Sequence, residues 1–301
     1  MRPANLSSSS RAALAAAALL TVALAGCSPQ DDSSSAAASS SATGSGPASA
    51  AACSAGSLAT HSAGKLTIGT DNPAYDPWFS DDDPSNGKGY ESAVAYAVAK
   101  QLGFSTGQVA WQKVPFNSAF APGAKDFDFD INQVSINADR KKSVDFSAGY
   151  YDVRQAIVAR KGSKIYDAKS IADLKGAKLG AQVGTTSLDF ITDVVKPSSQ
   201  PAVYQRNDLA VAALKNGQVD GIVVDLPTAF YITGAEVTDA KVVGQFDNTG
   251  GTPEQFGLVL DKGSKLTSCV SQAVTSLRGD GTLAALEKQW LSDAVDAPVL
   301  K

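Results

Sequence analysis

The sequence predicts an α/β fold for the chain from residue 65 onward. Short apolar runs of strand length alternate with segments in which apolar residues recur at helical spacing. Some of these runs are apolar almost throughout, as strands covered on both faces are. Turn and capping residues separate the segments. Together these observations favour sheets with helices packed against them.

The first half of the folded part begins with a strand and a helix. Residues 65–70 read as a strand, and residues 90–102 read as an amphipathic helix that stops at Gly103. Residues 108–114 and 129–134 are then predicted to be strands. Asp126, Asp128 and Asp130 alternate with apolar residues, which indicates a polar strand edge rather than a catalytic carboxylate pair.

The second half continues the alternation. Its predicted elements are a strand at 177–183, a helix at 188–195, a strand around Val203, a helix at 209–216 capped by Asn207, a strand at 219–224, and final helices at 266–277 and 283–291. Asp225 follows the strand at 219–224 and precedes Pro227, which begins another helix. Because ligands gather at the carboxyl ends of strands in open α/β sheets, Asp225 is a candidate binding residue.

Composition excludes several functions. The formal net charge is −4 and the basic residues are scattered, so a nucleic-acid partner is not expected. The sequence contains neither a P-loop nor a G-x-G-x-x-G motif. His61 is the only histidine, which argues against His-based triads and His-rich metal sites. We therefore expect no metal and no cofactor.

The N-terminus indicates export and lipid anchoring. Arg2 and Arg11 are followed by a short apolar run, the layout of a secretory signal that is too short to span a bilayer. Residues 24–27, Leu-Ala-Gly-Cys, resemble the lipobox of bacterial lipoproteins, in which cleavage leaves a lipid-bearing cysteine with fatty acids such as palmitate. We predict a signal peptide at 1–26 and a lipid on Cys27, the alternative being an ordinary signal peptide. Residues 27–62 are predicted to form a flexible linker, since they are mostly small and polar.

Two further cysteines, Cys53 and Cys269, would lie in a compartment where disulfides persist. We expect them to be bonded to each other, and two free thiols are the alternative.

An ordered set of motifs along the folded part carries a family resemblance. The motifs are Gly89-Tyr90-Glu91, Trp111, Val114-Pro115-Phe116, residues 135–140, Val144-Asp145-Phe146-Ser147, Tyr150-Tyr151, Leu174-Lys175-Gly176 and Gly184-Thr185-Thr186. In this order they resemble the extracellular amino-acid-binding proteins of ATP-driven importers, the polar amino acid class. The likeness extends over residues 65–290.

The resemblance implies a two-lobed periplasmic-binding-protein-like fold with two crossing hinge strands. On that template the first lobe comprises residues 63–153 and 256–301, and the second comprises residues 154–255. The ligand would be captured between the lobes by hinge closure.

The resemblance also implies a site for a zwitterion. A planar two-point donor such as Arg140 suits an α-carboxylate, together with Ser135, Thr185 and Thr186. Asp225 would accept from the α-ammonium. The alternatives are a surface ion pair of Arg140 with Asp139 or Asp145, and a helix-capping role for Asp225.

Other residues are predicted to surround the ligand's side chain. Phe116 matches the family's stacking position, although it could equally be core, and Tyr75 and Trp78 lie on the loop after the first strand. Asp71 matches a ligand-contacting position, or it caps the turn at Pro73. Gln133 and Gln182 depart from the family pattern, and either they line the site or they point to solvent. Because these two side chains are polar and uncharged, they favour glutamine or asparagine as the ligand, while acidic and basic amino acids remain open.

The predicted function is that of a non-enzymatic binding lipoprotein on the outer face of the cell membrane. It would act as a monomer and deliver an amino acid to a permease that works with a cytoplasmic ATPase. One alternative is an enzyme on the same scaffold, resembling secreted cyclohexadienyl dehydratases, with a cleft carboxylate as general acid. Another is a ligand-sensing domain that docks on a receptor.

Overall fold

The computed structural model describes residues 53–247, 253–291 and 297–301. The predicted signal peptide, Cys27 and most of the predicted linker lie outside these residues. The strands are β1 (Leu66–Thr70), β2 (Val109–Lys113), β3 (Phe129–Asp130), β4 (Val144–Val153), β5 (Gln155–Arg160), β6 (Leu179–Gln182), β7 (Ala202–Tyr204), β8 (Gly221–Asp225), β9 (Ala240–Phe246), β10 (Glu254–Asp261) and β11 (Val299–Leu300).

Helices connect most of these strands, as the sequence predicts. They are α1 (Tyr90–Gln101), α2 (Phe116–Ala119), α3 (Thr186–Phe190), α4 (Asn207–Lys215), α5 (Leu226–Tyr231), α6 (Thr267–Gly279) and α7 (Thr282–Leu291). One turn of π-helix extends α3 over Ile191–Val195, and another extends α5 over Ile232–Glu236. None of the described helices combines the length and the apolar character that a membrane span requires.

The strands form two separate sheets, which confirms the predicted two-lobed α/β fold. The first sheet has the order β2-β1-β3-β10-β4, with β1 parallel to both neighbours and β10 antiparallel to β3 and β4. The second has the order β11-β9-β5-β8-β6-β7, with β6 parallel to β7 and β8. The chain enters the second sheet between Val153 and Gln155 and returns between Phe246 and Glu254. The precise lobe boundaries stay a prediction.

Each lobe has its own core. In the first lobe, α1, α6 and α7 pack together beside the sheet over a cluster that includes Trp78, Tyr90 and Phe256. A disulfide joins Cys53 to Cys269 on α6, so the start of the described chain is fixed to this lobe. The second lobe has two separate apolar clusters. One contains Val224 and the other contains its neighbour Val223, as expected for a strand that is covered on both faces.

The fold differs from the sequence expectations at several places. The C-terminal strand β11 pairs with β9 in the second sheet, whereas the predicted boundaries assign it to the first lobe. The predicted strand at 129–134 ends at Asp130, and Gln133 within the predicted range adopts a positive φ of 47°, outside the strand region. Asp128 and Asp130 are buried rather than forming a polar edge, and Asp128 accepts hydrogen bonds from the backbone N–H groups of His61 and Thr67.

Candidate ligand-binding site

A cleft lies where strands of the two sheets end, and side chains from both lobes line it. Asp71 follows β1, Phe116 follows β2, Asp225 ends β8, and Gln182 ends β6. This placement follows the rule that ligands bind at the carboxyl ends of strands in α/β folds.

All of the predicted binding residues except Trp78 line this cleft. Those on the first lobe are Asp71, Tyr75, Phe116, Gln133, Ser135 and Arg140, and those on the second are Gln182, Thr185, Thr186 and Asp225. The fold brings them together, and their contact with a ligand stays a prediction.

Arg140 is buried and has no ion-pair partner among the described residues. Its guanidinium donates one hydrogen bond to the Ser135 carbonyl, at 2.7 Å, and another to the Gly184 carbonyl on the second lobe, at 2.9 Å. Since a guanidinium carries five N–H donors, three remain for a ligand. The predicted surface pairs are absent here, because Asp139 pairs with Lys142 and Asp145 with Lys262.

Two aromatic rings support the Arg140 guanidinium. Its central carbon lies 4.3 Å from the ring centroid of Phe120 and 5.6 Å from that of Phe116, and the two rings meet edge to face. Burial lowers the pKa of Arg140 to about 10, and the charges of Glu254, Asp189 and Asp225 oppose this shift. The guanidinium therefore stays charged at neutral pH, held in place by ring faces and carbonyls.

Asp225 stands at the N-cap position of α5, but its side chain makes no capping hydrogen bond. One carboxylate oxygen instead accepts a hydrogen bond from Gln155 Nε2 at 2.8 Å. Burial raises the pKa of Asp225 to about 8, with a further contribution from the charge of Glu254, while the Gln155 hydrogen bond acts in the opposite direction. This carboxyl is thus poised to ionise when a cation approaches.

The start of α3 supplies hydroxyl groups to the same cleft. Thr185 is the N-cap of α3, and its hydroxyl accepts a hydrogen bond from the Leu188 N–H at 3.2 Å. The Thr186 hydroxyl lies 3.4 Å from that of Ser135 on the first lobe. These groups line the same cleft as Arg140 and could share in binding a carboxylate.

Trp78 does not line the cleft. Its side chain is fully buried in the first-lobe core, edge to face with Tyr90, Tyr151 and Phe256. The indole N–H donates a hydrogen bond of 2.9 Å to the Thr228 hydroxyl on α5 of the second lobe. Trp78 therefore contacts the other lobe rather than the cavity, which corrects its predicted position.

Sequence reasoning missed Gln155, which joins several groups around the site. Its Nε2 lies 2.8 Å from Asp225, 3.4 Å from Glu254 and 3.4 Å from Thr186, and its Oε1 accepts from the Ser187 hydroxyl at 2.6 Å. The position of Gln155, beside the predicted lobe boundary between residues 153 and 154, is the one available signal. Asn132, Ser187 and Asn207 also line the cleft without having been predicted.

Direct hydrogen bonds join the two lobes around this site. Besides the Arg140 and Trp78 contacts, the Tyr75 hydroxyl donates to Asp208 at 3.1 Å. Gly184 has a φ of +75°, and a Cβ there would collide with the Asn117 side chain of the first lobe. The lobes thus approach each other to backbone contact at Gly184, where a glycine is required.

Within the described residues, no group of His, Cys, Asp or Glu side chains could hold a metal ion.

Comparison with protein families decides the family. The bacterial extracellular solute-binding proteins, family 3, match residues 66–293, which is most of the chain. The chain belongs to this family. Family 3 members are extracytoplasmic binding proteins, in agreement with the two-lobed fold and the cleft between the lobes.

Individual relatives in this family support the assignment. The chain is 29% identical over 235 residues to the L-cystine-binding protein TcyJ of Escherichia coli K12, covering 75% of this chain and 82% of TcyJ. It is 28% identical over 216 residues to the ABC transporter glutamine-binding protein GlnH of Bacillus subtilis, covering 70% and 76%. Among solved structures, the ancestral amino-acid-binding protein AncCDT-1, a precursor of cyclohexadienyl dehydratase, superposes with a TM-score of 0.62. Its sequence is 29% identical, and the match covers 75% of this chain and 95% of AncCDT-1.

Proposed function

We propose that this protein is the amino-acid-binding component of an ATP-driven importer, which captures a polar amino acid between its lobes for delivery to a permease. The observation that carries the proposal is that Arg140 of the first lobe and Asp225 of the second lobe line the same cleft. Arg140 has free donors for an α-carboxylate, and Asp225 offers an acceptor for an α-ammonium. A ligand held by both groups would join the lobes.

The charges in the cleft favour a ligand whose side chain ends in a hydrogen-bond donor. Asp71 adds a second carboxyl to the lining, and Arg140 is the only cation among the described lining residues. A glutamate or aspartate ligand would therefore bring an extra carboxylate that no cation balances. Glutamine and asparagine avoid this problem. L-cystine also has a second carboxylate, but its second ammonium balances that charge and could pair with Asp71. The relatives are named as binding cystine, glutamine, histidine or arginine, and each of these ligands carries a donor group on its side chain.

We further propose that the protein acts as a monomer tethered by a lipid on Cys27. The cysteine follows a short apolar segment and small residues, as a lipoprotein cleavage site does. A tether of this kind would keep the binding domain beside its permease in the membrane.

A thermal-shift panel tests the proposal. Purified protein is heated with each of the twenty common amino acids and with L-cystine, and a cognate ligand at 100 times its Kd should add about 2.7 kcal/mol of stability. We expect glutamine, asparagine or cystine to raise the melting midpoint by several degrees, while glutamate and aspartate do not. No shift with any amino acid would contradict the proposed function.

The dehydratase alternative makes a different prediction. AncCDT-1 is itself described as an amino-acid-binding protein, so structural similarity to it does not favour catalysis. Incubation with a cyclohexadienyl carboxylic acid should therefore leave that compound unchanged. Its conversion by the purified protein would replace the transport proposal.

A further inference from the structure

Glu91 is a fully buried carboxyl group behind the cleft, on the first turn of α1. Its Oε1 accepts a hydrogen bond of 2.8 Å from the backbone N–H of Gln133 and another from the Tyr150 hydroxyl. Its Oε2 accepts from the side-chain Nε2 of Gln133. Glu91 does not line the cleft, whereas Gln133 does.

This arrangement fixes which end of the Gln133 amide faces the cleft. An ionised carboxylate can only accept hydrogen bonds, so Gln133 must turn its NH₂ group towards Glu91. The amide carbonyl then points away from Glu91, and within the described residues its oxygen accepts no hydrogen bond. That oxygen is also absent from the buried unpaired atoms, which shows that it remains accessible.

The backbone of Gln133 is held by the same carboxyl. Its φ of 47° lies in the left-handed region, which residues other than glycine rarely adopt. The bond from its N–H to Glu91 stabilises this conformation. Glu91 thus restrains both the backbone and the side chain of one cleft residue.

We propose that Glu91 is a positioning residue for ligand binding, which presents the Gln133 side-chain carbonyl oxygen to the cleft as an acceptor for a donor group of the bound amino acid. The inference rests on the proposed function, because it assigns a further contact in the same site. It explains why a long polar side chain stands at this strained position.

A double-mutant cycle tests the link between the two residues. The proteins are wild type, Glu91→Gln, Gln133→Gly and the double variant, titrated calorimetrically with L-cystine and with L-glutamine. Glu91→Gln keeps one carbonyl acceptor but places an NH₂ group beside that of Gln133, so the Gln133 amide must turn over and direct a donor at the ligand. Because burial raises the pKa of Glu91 to about 7, the titrations are run at pH 8, where its ionised form predominates.

We expect Glu91→Gln and Gln133→Gly each to weaken binding about tenfold or more, as loss of a hydrogen bond to a charged group does. The double variant should bind no more weakly than the weaker single variant, because Glu91 acts only through Gln133. Tyr150→Phe is the control. It removes one donor to Glu91, leaves both Gln133 bonds in place, and should bind within about threefold of wild type.

Gln133→Gly also keeps the test decisive if Glu91→Gln does not fold. Glycine adopts positive φ without strain, which offsets part of the loss of the side-chain bond to Glu91, so this variant should remain folded. Wild-type affinity in Gln133→Gly would overturn the inference. It would also be overturned if the fold loss of affinity in the double variant equalled the product of the two single losses. Both results would leave the proposed function standing, provided that wild type binds an amino acid. If wild type binds no amino acid, the proposed function and this inference both fail.

Discussion

Arg140 and Asp225 differ in how firmly they hold their charge. Arg140 remains charged at neutral pH, since its lowered pKa of about 10 is still well above 7. Asp225 has a pKa of about 8, raised mainly by burial, and is therefore mostly protonated at pH 7 in the unliganded protein. An ammonium group beside Asp225 would favour its ionised form, so ligand binding should release a proton.

This difference predicts a pH-dependent affinity. Binding of L-glutamine or L-cystine should strengthen as the pH rises from about 6 to about 8, because less work is needed to deprotonate Asp225. Calorimetry at pH 7 in phosphate and in Tris buffers should give different binding enthalpies. The difference should equal the number of protons released multiplied by the difference between the ionisation enthalpies of the two buffers. Asp225→Asn should bind weakly and show no such difference. Equal heats for wild type in both buffers would contradict the assigned role of Asp225.

The same raised pKa fixes how the stability of the unliganded protein depends on pH. A carboxyl with a higher pKa in the folded state stabilises the fold when it is protonated in both states, at low pH. Its contribution decreases as the pH rises from about 4 towards about 8, where the folded form also ionises. Ligand binding and unliganded stability should therefore change in opposite directions over this range.

Sequence reasoning finds residues whose partners are local or whose position in a strand is clear. Asp225 ends an apolar strand, and Arg140 lies in a recognisable motif. Glu91 belongs to the Gly89-Tyr90-Glu91 motif and Gln155 lies beside the predicted lobe boundary, but neither signal reveals their contacts. Their partners lie far along the chain: Gln155 and Asp225 are 70 residues apart, and Glu91 and Gln133 are 42 apart. The position of Trp78 on the loop after a strand predicts that it faces the cleft, but its ring packs in the core of the first lobe instead.

At the scale of elements, α5 links the cleft to a contact between the lobes. Asp225 precedes this helix, and Thr228 on its first turn accepts the hydrogen bond from Trp78 of the first lobe. The same short segment thus contributes to the cleft and to a contact between lobes. Loss of that contact should weaken ligand binding without altering the cleft.

Thr228→Val tests this connection. The substitution keeps the shape of the side chain but removes the hydroxyl, so a buried indole N–H loses its partner when the lobes are together. This should weaken ligand binding by about 1–3 kcal/mol. Thr233→Val is the matched control, because the Thr233 hydroxyl bonds only to the backbone carbonyls of Ala229 and Phe230 within its own helix. Equal affinity of both variants, measured by calorimetry, would show that the Trp78 contact plays no part in closure.

The order of strands and helices was largely predictable, while several of their ends were not. Gln133 ends its strand early by a conformation that its residue type does not announce. The strand β11 has two residues and fills the edge of β9, where the Gln245 N–H donates to the Pro298 carbonyl at 2.8 Å. Such a short segment has no periodicity from which its partner could be inferred.

At the scale of the whole molecule, the chain combines a family 3 binding fold with a predicted lipid anchor at its N-terminus. We expect the folded part to bind its ligand without contact with the membrane, because residues of the two lobes alone line the cleft. The anchor would serve to keep the protein close to its transporter. Its removal should change where the protein is found but not its affinity for the ligand.

Cys27→Ala should release the protein from the membrane, because a polar linker without lipid gives no stable membrane attachment. Fractionation of expressing cells should find the variant in the soluble fraction or the medium. Its melting temperature with and without L-glutamine or L-cystine should match that of the wild type. Retention in the membrane fraction at the wild-type level would show that Cys27 is not the anchor.

Calorimetric titration of Arg140→Ala and Asp225→Ala tests the central claim most directly, with Asp139→Ala as the control. Asp139 is exposed, adjacent to Arg140 and paired only with Lys142, so its loss should leave affinity unchanged. Removing either clamp residue leaves the opposite charge of the ligand unpaired, which should weaken binding by about 2–5 kcal/mol, while the unliganded variants stay folded. Wild-type affinity for its amino acid in a folded Arg140→Ala variant would contradict the account.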